Sequence, residues 1–209
     1  MKLNNKRTIL VGLAFLSICA FWQMYDSIVP LILTKTFHMN ETFSGAIMAA
    51  DNILALFLLP FFGSVSDKSH SKLGKRMPFI LFGTGCAIIL MNILPLLDNS
   101  YAAQPSGFKT ASFVIVLGLL LVAMGTYRAP AVALMPDVTP KPLRSRANAI
   151  INLMGAVGGI LYLGVAAVLY PNSKTAGLDH VNYQPLFIVV SAIMFVAVAV
   201  LFLTIREPK

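Results

Sequence analysis

Six apolar blocks, each long enough to cross a bilayer, leave this chain almost nothing else to fold. About twenty residues at ~1.5 Å rise span the hydrocarbon core, and spans are predicted at about 8–34, 42–62, 78–97, 110–136, 147–170 and 185–205. The connectors between them are short, so residues 1–209 are expected to form one all-α integral membrane bundle of six transmembrane helices. Charged residues make up 11% of the chain, against about 25% in soluble domains, and the mean hydropathy is +0.80. A soluble enzyme and a disordered chain are thereby excluded. So is a nucleic-acid partner, in spite of the net charge of +8; membrane lipid and a small molecule are the expected partners.

Cytoplasmic loops carry the Lys/Arg excess. Lys2, Lys6, Arg7, Lys68, Lys72, Lys75, Arg76, Lys141, Arg144, Arg146, Arg206 and Lys209 fall on one side, against Lys35, Lys109 and Lys174 on the other. Both termini are therefore expected in the cytoplasm, with the protein multi-pass in the cell (inner or plasma) membrane. The first apolar run continues through Phe21, Trp22 and Met24 to Leu33, too long for the apolar core of a signal peptide, and reads as an uncleaved helix. Cys19 and Cys86 lie in apolar spans and read as packing residues. His38, His70 and His180 have no metal-ligand spacing, so no metal is expected.

No phosphate-binding glycine loop, dinucleotide fingerprint, His-Glu-x-x-His or Gly-x-Ser-x-Gly occurs. The chain is read as a non-enzyme without a cofactor, and any pumping must draw on an ion gradient or another subunit. The informative residues are three ionisable groups inside the spans, Asp26, Asp51 and Arg128. Such a group costs about 2.5–3.5 kcal/mol at a helix centre and by default marks an ion or substrate path. Counted from the span centres, Asp51 lies near the midplane, with Asp26 and Arg128 displaced roughly 7 Å in opposite directions. Asp51 and Arg128 can meet on that count, and Asp26 is too far from Arg128 unless a helix breaks or tilts. Two readings stay open: a static ion pair holding helices together, or a carboxylate that exchanges a proton, balanced between desolvation and the nearby cation.

Gln23, Asp26, Ser27 and Pro30 form a polar stripe beside Trp22, whose ring is expected either to face a cavity or to pack between helices. Pro30 is expected to bend the outer end of its helix. Asn148, Asn152, Gly155, Gly159, Tyr162 and Ala166 fall on one face of the fifth span, where Gly155-x-x-x-Gly159 would permit close helix contact. The third and sixth spans are the most apolar and read as outer scaffold helices.

Two stretches carry a family resemblance. Gly63-Ser-Val-Ser-Asp67-Lys68, followed by Gly74-Lys75-Arg76-Met-Pro78-Phe79, resembles the cytoplasmic signature between the second and third helices of the major facilitator superfamily. Its longer gap is similar to the sucrose/proton symporter-like branch of the glycoside-pentoside-hexuronide:cation symporter group. Tyr127-Arg128-Ala-Pro130 through Pro136-Asp137-Val-Thr139-Pro140 to Arg144-Ser-Arg146-Ala-Asn148 resembles the exit of the fourth helix in the same branch. The resemblance implies the amino-terminal six-helix half of a facilitator fold, built as an inverted 3+3 repeat. It implies a cytoplasmic gate motif at Gly63, Asp67, Lys68, Gly74, Lys75, Arg76, Asp137, Arg144 and Arg146, with Gly63 allowing close helix approach. It also implies proton-coupled symport of a sugar or glycoside by alternating access. Cation-binding aspartates of melibiose-type members would fall on Ala55 and Leu59, so H+ is the expected coupling ion.

Trp22, Gln23, Asp26, Asn52, Arg128, Asn148 and Asn152 are the expected substrate-binding residues, and Asp51, with Arg128 and Asp26, the expected proton-coupling set. An exporter of another small solute, or a membrane partner subunit without its own cycle, are the alternatives. Because resembling transporters have twelve spans, a second six-helix half or a self-dimer is the expected partner; Arg206-Glu207-Pro208-Lys209 falls where a central loop would begin.

Overall fold

The structure, a computed structural model, describes residues 4–205; Lys2, Arg206 and Lys209 of the charge count lie outside the described residues. Asn4 opens helix α1 (Asn5–Leu31) by accepting the Arg7 backbone N–H at 3.1 Å, satisfying one of the free donors of a helix start. Two residues after Pro30 the helix widens into a π turn at Ile32–Thr36. Asn40 caps α2 (Glu41–Asp67) through the Thr42 N–H. Then come α3 (Met77–Ala103), α4 (Gly107–Val138), a 3-10 turn at Lys141–Leu143, α5 (Arg144–Leu169), the single turn α6 (Asn172–Thr175) and α7 (Gln184–Thr204). Among the described residues, six helices are long and apolar enough to cross a membrane, and α2 and α3 run past the predicted apolar spans to Asp67 and Ala103.

The long helices form an open arc in the order α2, α4, α3, α7, α1, α5. α1 is the most enclosed, with Phe21, Met24 and Tyr25 buried among its neighbours, whereas α2 buries only Ser44 and Ser66. In a bilayer the exposed Ile53, Leu56, Phe57 and Phe61 of α2 meet lipid rather than water. Polar links stitch the arc where apolar packing alone would let helices slide. The Tyr127 hydroxyl of α4 lies 2.5 Å from Ser17 Oγ and 3.1 Å from the Ala14 carbonyl of α1. Asn92 of α3 donates to Ser191 of α7 at 2.6 Å. α7 is thus more than a lipid-facing scaffold: Leu186, Phe187, Val190 and Met194 bury against the bundle.

The close contact of α1 with α5 falls at Gly155 and Gly158 rather than at Gly155 and Gly159. A Cβ on Gly158 would collide with the Leu16 backbone and one on Gly155 would sit 2.9 Å from Cys19 Sγ, while Gly159 has only Gln23 Oε1 nearby, at 3.9 Å. The sequence pattern selected the four-residue spacing, but the inclined α1 meets the adjacent row. Replacing Gly158 with Ala is expected to cost about 1–3 kcal/mol through backbone overlap, and Gly159→Ala close to nothing. Thermal unfolding of the two detergent-solubilised variants checks this: a large loss for Gly159→Ala with none for Gly158→Ala would refute the packing.

Candidate functional site

Where α1, α2, α4 and α5 face one another, a cavity of about 510 Å³ opens, lined by Cys19, Trp22, Asp26, Asp51, Asn52, Arg128 and Asn152, with Phe15, Ile18, Ala55 and Val132 as its apolar wall. All three intramembrane charges therefore share one space. Asp26 and Arg128 both line it without forming an ion pair with each other among the described residues. Gln23 and Asn148 are exposed but do not line it: Gln23 turns toward Gly159, and Asn148 lies a turn before Asn152.

The charges do not pair with one another. No ion pair joins Arg128 to a carboxylate among the described residues; its guanidinium instead lies over the Trp22 ring, 5.5 Å from the centroid. Such stacking is worth about 0.5–2 kcal/mol, increasing with desolvation. Trp22 is held for this contact by edge-on packing against Phe21 and Tyr25 at 5.3 Å each. Asp51 Oδ1 and Trp22 Nε1 are buried without a hydrogen-bond partner. A buried polar atom left unmatched costs about 1–3 kcal/mol, a cost that each of these two atoms carries. The static Asp51–Arg128 ion pair is not the arrangement found. Ala55 and Leu59 line a narrower crevice beside Trp22, Asp51 and Arg128, and supply no carboxylate there.

A second cluster gathers at the start of α3. Arg76 is buried, and its fork joins three elements: Nε donates to Asp137 Oδ2 at 2.9 Å at the end of α4, Nη1 to Ser66 Oγ at 2.5 Å and to the Gly63 carbonyl at 3.4 Å in α2, and Nη2 to Asp67. A planar guanidinium matches several acceptors at once, which a lysine cannot. Arg144 closes the α4 end by donating to the Pro136 carbonyl at 2.8 Å and the Thr139 carbonyl at 3.3 Å. Gly74, at φ 108°, makes the turn that brings Arg76 round. Gly63 does not allow close approach, since a Cβ there would meet nothing within 4 Å; its contribution is the carbonyl. Lys68 and Arg146 are exposed and make no ion pair among the described residues.

A profile of the Major Facilitator Superfamily matches residues 11–209. The chain belongs to that superfamily. As a facilitator it is a multi-pass membrane protein, and its similarity within the superfamily is to sucrose transporters. It is 35% identical to sucrose transport protein SUC3 of Arabidopsis thaliana over 70% of this chain and 26% of that protein. It is 36% identical to sucrose transport protein SUT3 of Oryza sativa subsp. indica over 67% of this chain and 30% of that protein. To solute carrier family 45 member 3 of Homo sapiens it is 25% identical over 86% of this chain and 33% of that protein. The chain thus matches about a quarter to a third of the length of these curated relatives.

Trp22–Arg128 stacking, the Ser66 contact of Arg76 and the Tyr127–Ser17 link were not anticipated; Trp22 beside an intramembrane arginine was the one available signal. For the Arg76 cluster of this facilitator, Arg76→Lys is expected to destabilise the protein by about 1.5–3 kcal/mol, the worth of hydrogen bonds to a charged group. The measurement is thermal unfolding of the solubilised protein. An unchanged Arg76→Lys midpoint would show that the fork contributes nothing.

Proposed function

We propose that this chain forms the amino-terminal six-helix half of a proton-coupled symporter for a sugar or glycoside, working by alternating access in the cell membrane. The observation that carries the reading is the shared cavity, which combines an aromatic face, hydrogen-bonding amides and two carboxylates beside one arginine. The names of the sucrose transport proteins it resembles support the sugar. Both termini lie in the cytoplasm on this reading, and the Arg76 end of the bundle is the cytoplasmic end. α1–α3 and α4, α5 and α7 form the two units of an inverted repeat.

In this scheme a sugar ring stacks on Trp22, while Asn52, Asn152 and Asp26 bind its hydroxyls. Asp51 carries the proton. When protonated it is tolerated with a buried oxygen; on losing the proton it attracts Arg128, which leaves the Trp22 face. Proton and sugar occupancy are then linked through one guanidinium, and the linkage is reciprocal. A membrane potential of 100 mV contributes about 2.3 kcal/mol per charge moved, enough for roughly fifty-fold accumulation. The open side of the cavity, with exposed Asp26 and Asn52, is closed by a second six-helix half or a second copy, since polar groups are not left facing lipid. Lys68 and Arg146, exposed beside the Arg76 cluster, meet that partner at the gate.

Gradient-driven sugar uptake in vesicles tests the coupling. Asp51→Asn is expected to abolish accumulation while sugar exchange continues, and Trp22→Ala to weaken sugar binding by about tenfold, the equivalent of about 1.4 kcal/mol. Intact accumulation in Asp51→Asn together with its loss in Asp26→Asn would assign the proton to the wrong carboxylate. A native mass showing a stable, active monomer of this chain would refute the partner half.

A further inference from the structure

At the end of α3 opposite Arg76, a second set of titratable groups is packed away from the cavity. Asp98 is fully buried, neither of its carboxyl oxygens makes a well-formed hydrogen bond, and only the Thr36 hydroxyl and the His180 ring lie beside it to favour its charge. His180, in the segment joining α6 to α7, places Nε2 4.0 Å from Asp98 Oδ2. The same imidazole donates from Nε2 to Asn99 Oδ1 at 2.9 Å and meets the Thr36 hydroxyl through Nδ1 at 3.2 Å. Asn99 also donates to Asn182 Oδ1 at 2.9 Å, and Tyr170 donates to the Asn182 carbonyl at 2.8 Å. Three elements meet here: the π turn that ends α1, the end of α3, and the connection from α5 to α7.

A buried carboxylate with no more than one hydroxyl beside it is stable only when neutral or when a cation lies against it. The other ionisable groups on the packed elements do not supply one. Lys35 and His38 beyond α1 and Lys174 and Asp179 in the connection are exposed, and Lys109 at the start of α4 is committed to the Ser100 and Gln104 carbonyls. Tyr101 carries no positive charge. Burial, with the Asp98 charge second and Tyr162 third, pushes the Tyr183 hydroxyl up, so the field of Asp98 reaches the start of α7.

We propose that Asp98 and His180 form a proton-binding pair, distinct from the cavity, whose proton holds the 176–183 connection onto the ends of α1 and α3. With one proton the pair is either a neutral acid beside a neutral imidazole or a carboxylate beside an imidazolium. Thr36 serves both states, because its hydroxyl donates to a neutral Nδ1 and accepts from a charged one. Without the proton, a buried carboxylate faces a neutral ring, and the contact opens. The connection is therefore held at low pH and released as pH rises.

Hydrogen exchange of the 176–183 backbone amides, measured on the protein in lipid nanodiscs from pH 6 to pH 9 and corrected for the intrinsic pH dependence of exchange, reads the release directly. Protection is expected to fall about tenfold across that range, the equivalent of one hydrogen bond to a charged group. Asp98→Asn, which imitates the protonated acid, is expected to keep full protection at both ends of the range. His180→Gln, with no titrating ring, is expected to lose the step while circular dichroism remains that of the parent, and it decides the matter if Asp98→Asn does not fold. Protection independent of pH in the parent, or a step of the same size persisting in a folded variant, overturns the proposal.

Discussion

The approach of α5 to the backbone of α1 at Gly158 sets the geometry on which the cavity depends. A helix pair in lipid has no hydrophobic drive to associate and relies on close van der Waals contact and a few hydrogen bonds. With no side chain at Gly158 and only Cys19 against Gly155, α1 and α5 lie nearly backbone to backbone. Asn152, one turn earlier on α5, thereby reaches the space that Trp22 and Asp26 line from α1. The Tyr127 hydroxyl then fixes α4 to α1 at Ser17 and Ala14, five and eight residues before Trp22, and sets where Arg128, the next residue, emerges. Packing by the smallest side chains and positioning of the most polar ones are the same event.

The two charged clusters solve the cost of burial differently. Arg76 saturates its fork with two carboxylates, a hydroxyl and a carbonyl, so its charge is used entirely for holding α2, α3 and α4 together. Arg128 is answered only by the face of an indole, with Asp26 and Asp51 in the same cavity and neither bonded to it. A saturated arginine is a fastener, and an unsaturated one beside two acids retains the capacity to change partners.

Length and apolarity made the six helices legible, while caps such as Asn40 emerged only in the structure. The charge inventory identified Asp26, Asp51 and Arg128, and the Gly63–Arg76 signature located the second cluster. Face and depth were less readable. A helical wheel put Gly159 at the contact and Asn148 in the cavity, but crossing angles decide which of two adjacent rows touches a neighbour, and no single helix encodes its inclination. Asp98 falls just past the apolar span that ends at 97, yet α3 runs on to Ala103, and His180, more than eighty residues away, packs back against the buried carboxyl. Contacts that need two distant segments left no mark on either alone.

α2 buries only Ser44 near its first turn and Ser66 near its last, with Asp67 and Ser66 bound by Arg76 at one end. Between those points Ile53, Leu56, Phe57 and Phe61 are exposed. Its inner side packs on the bundle through Ile47, Met48 and Leu54, with Leu58 against Gly125, and Asp51 sits on that same stretch. The helix that buries least of itself therefore carries Asp51 into the shared cavity, and its hold on the neighbouring helices rests on one face and on the Arg76 end.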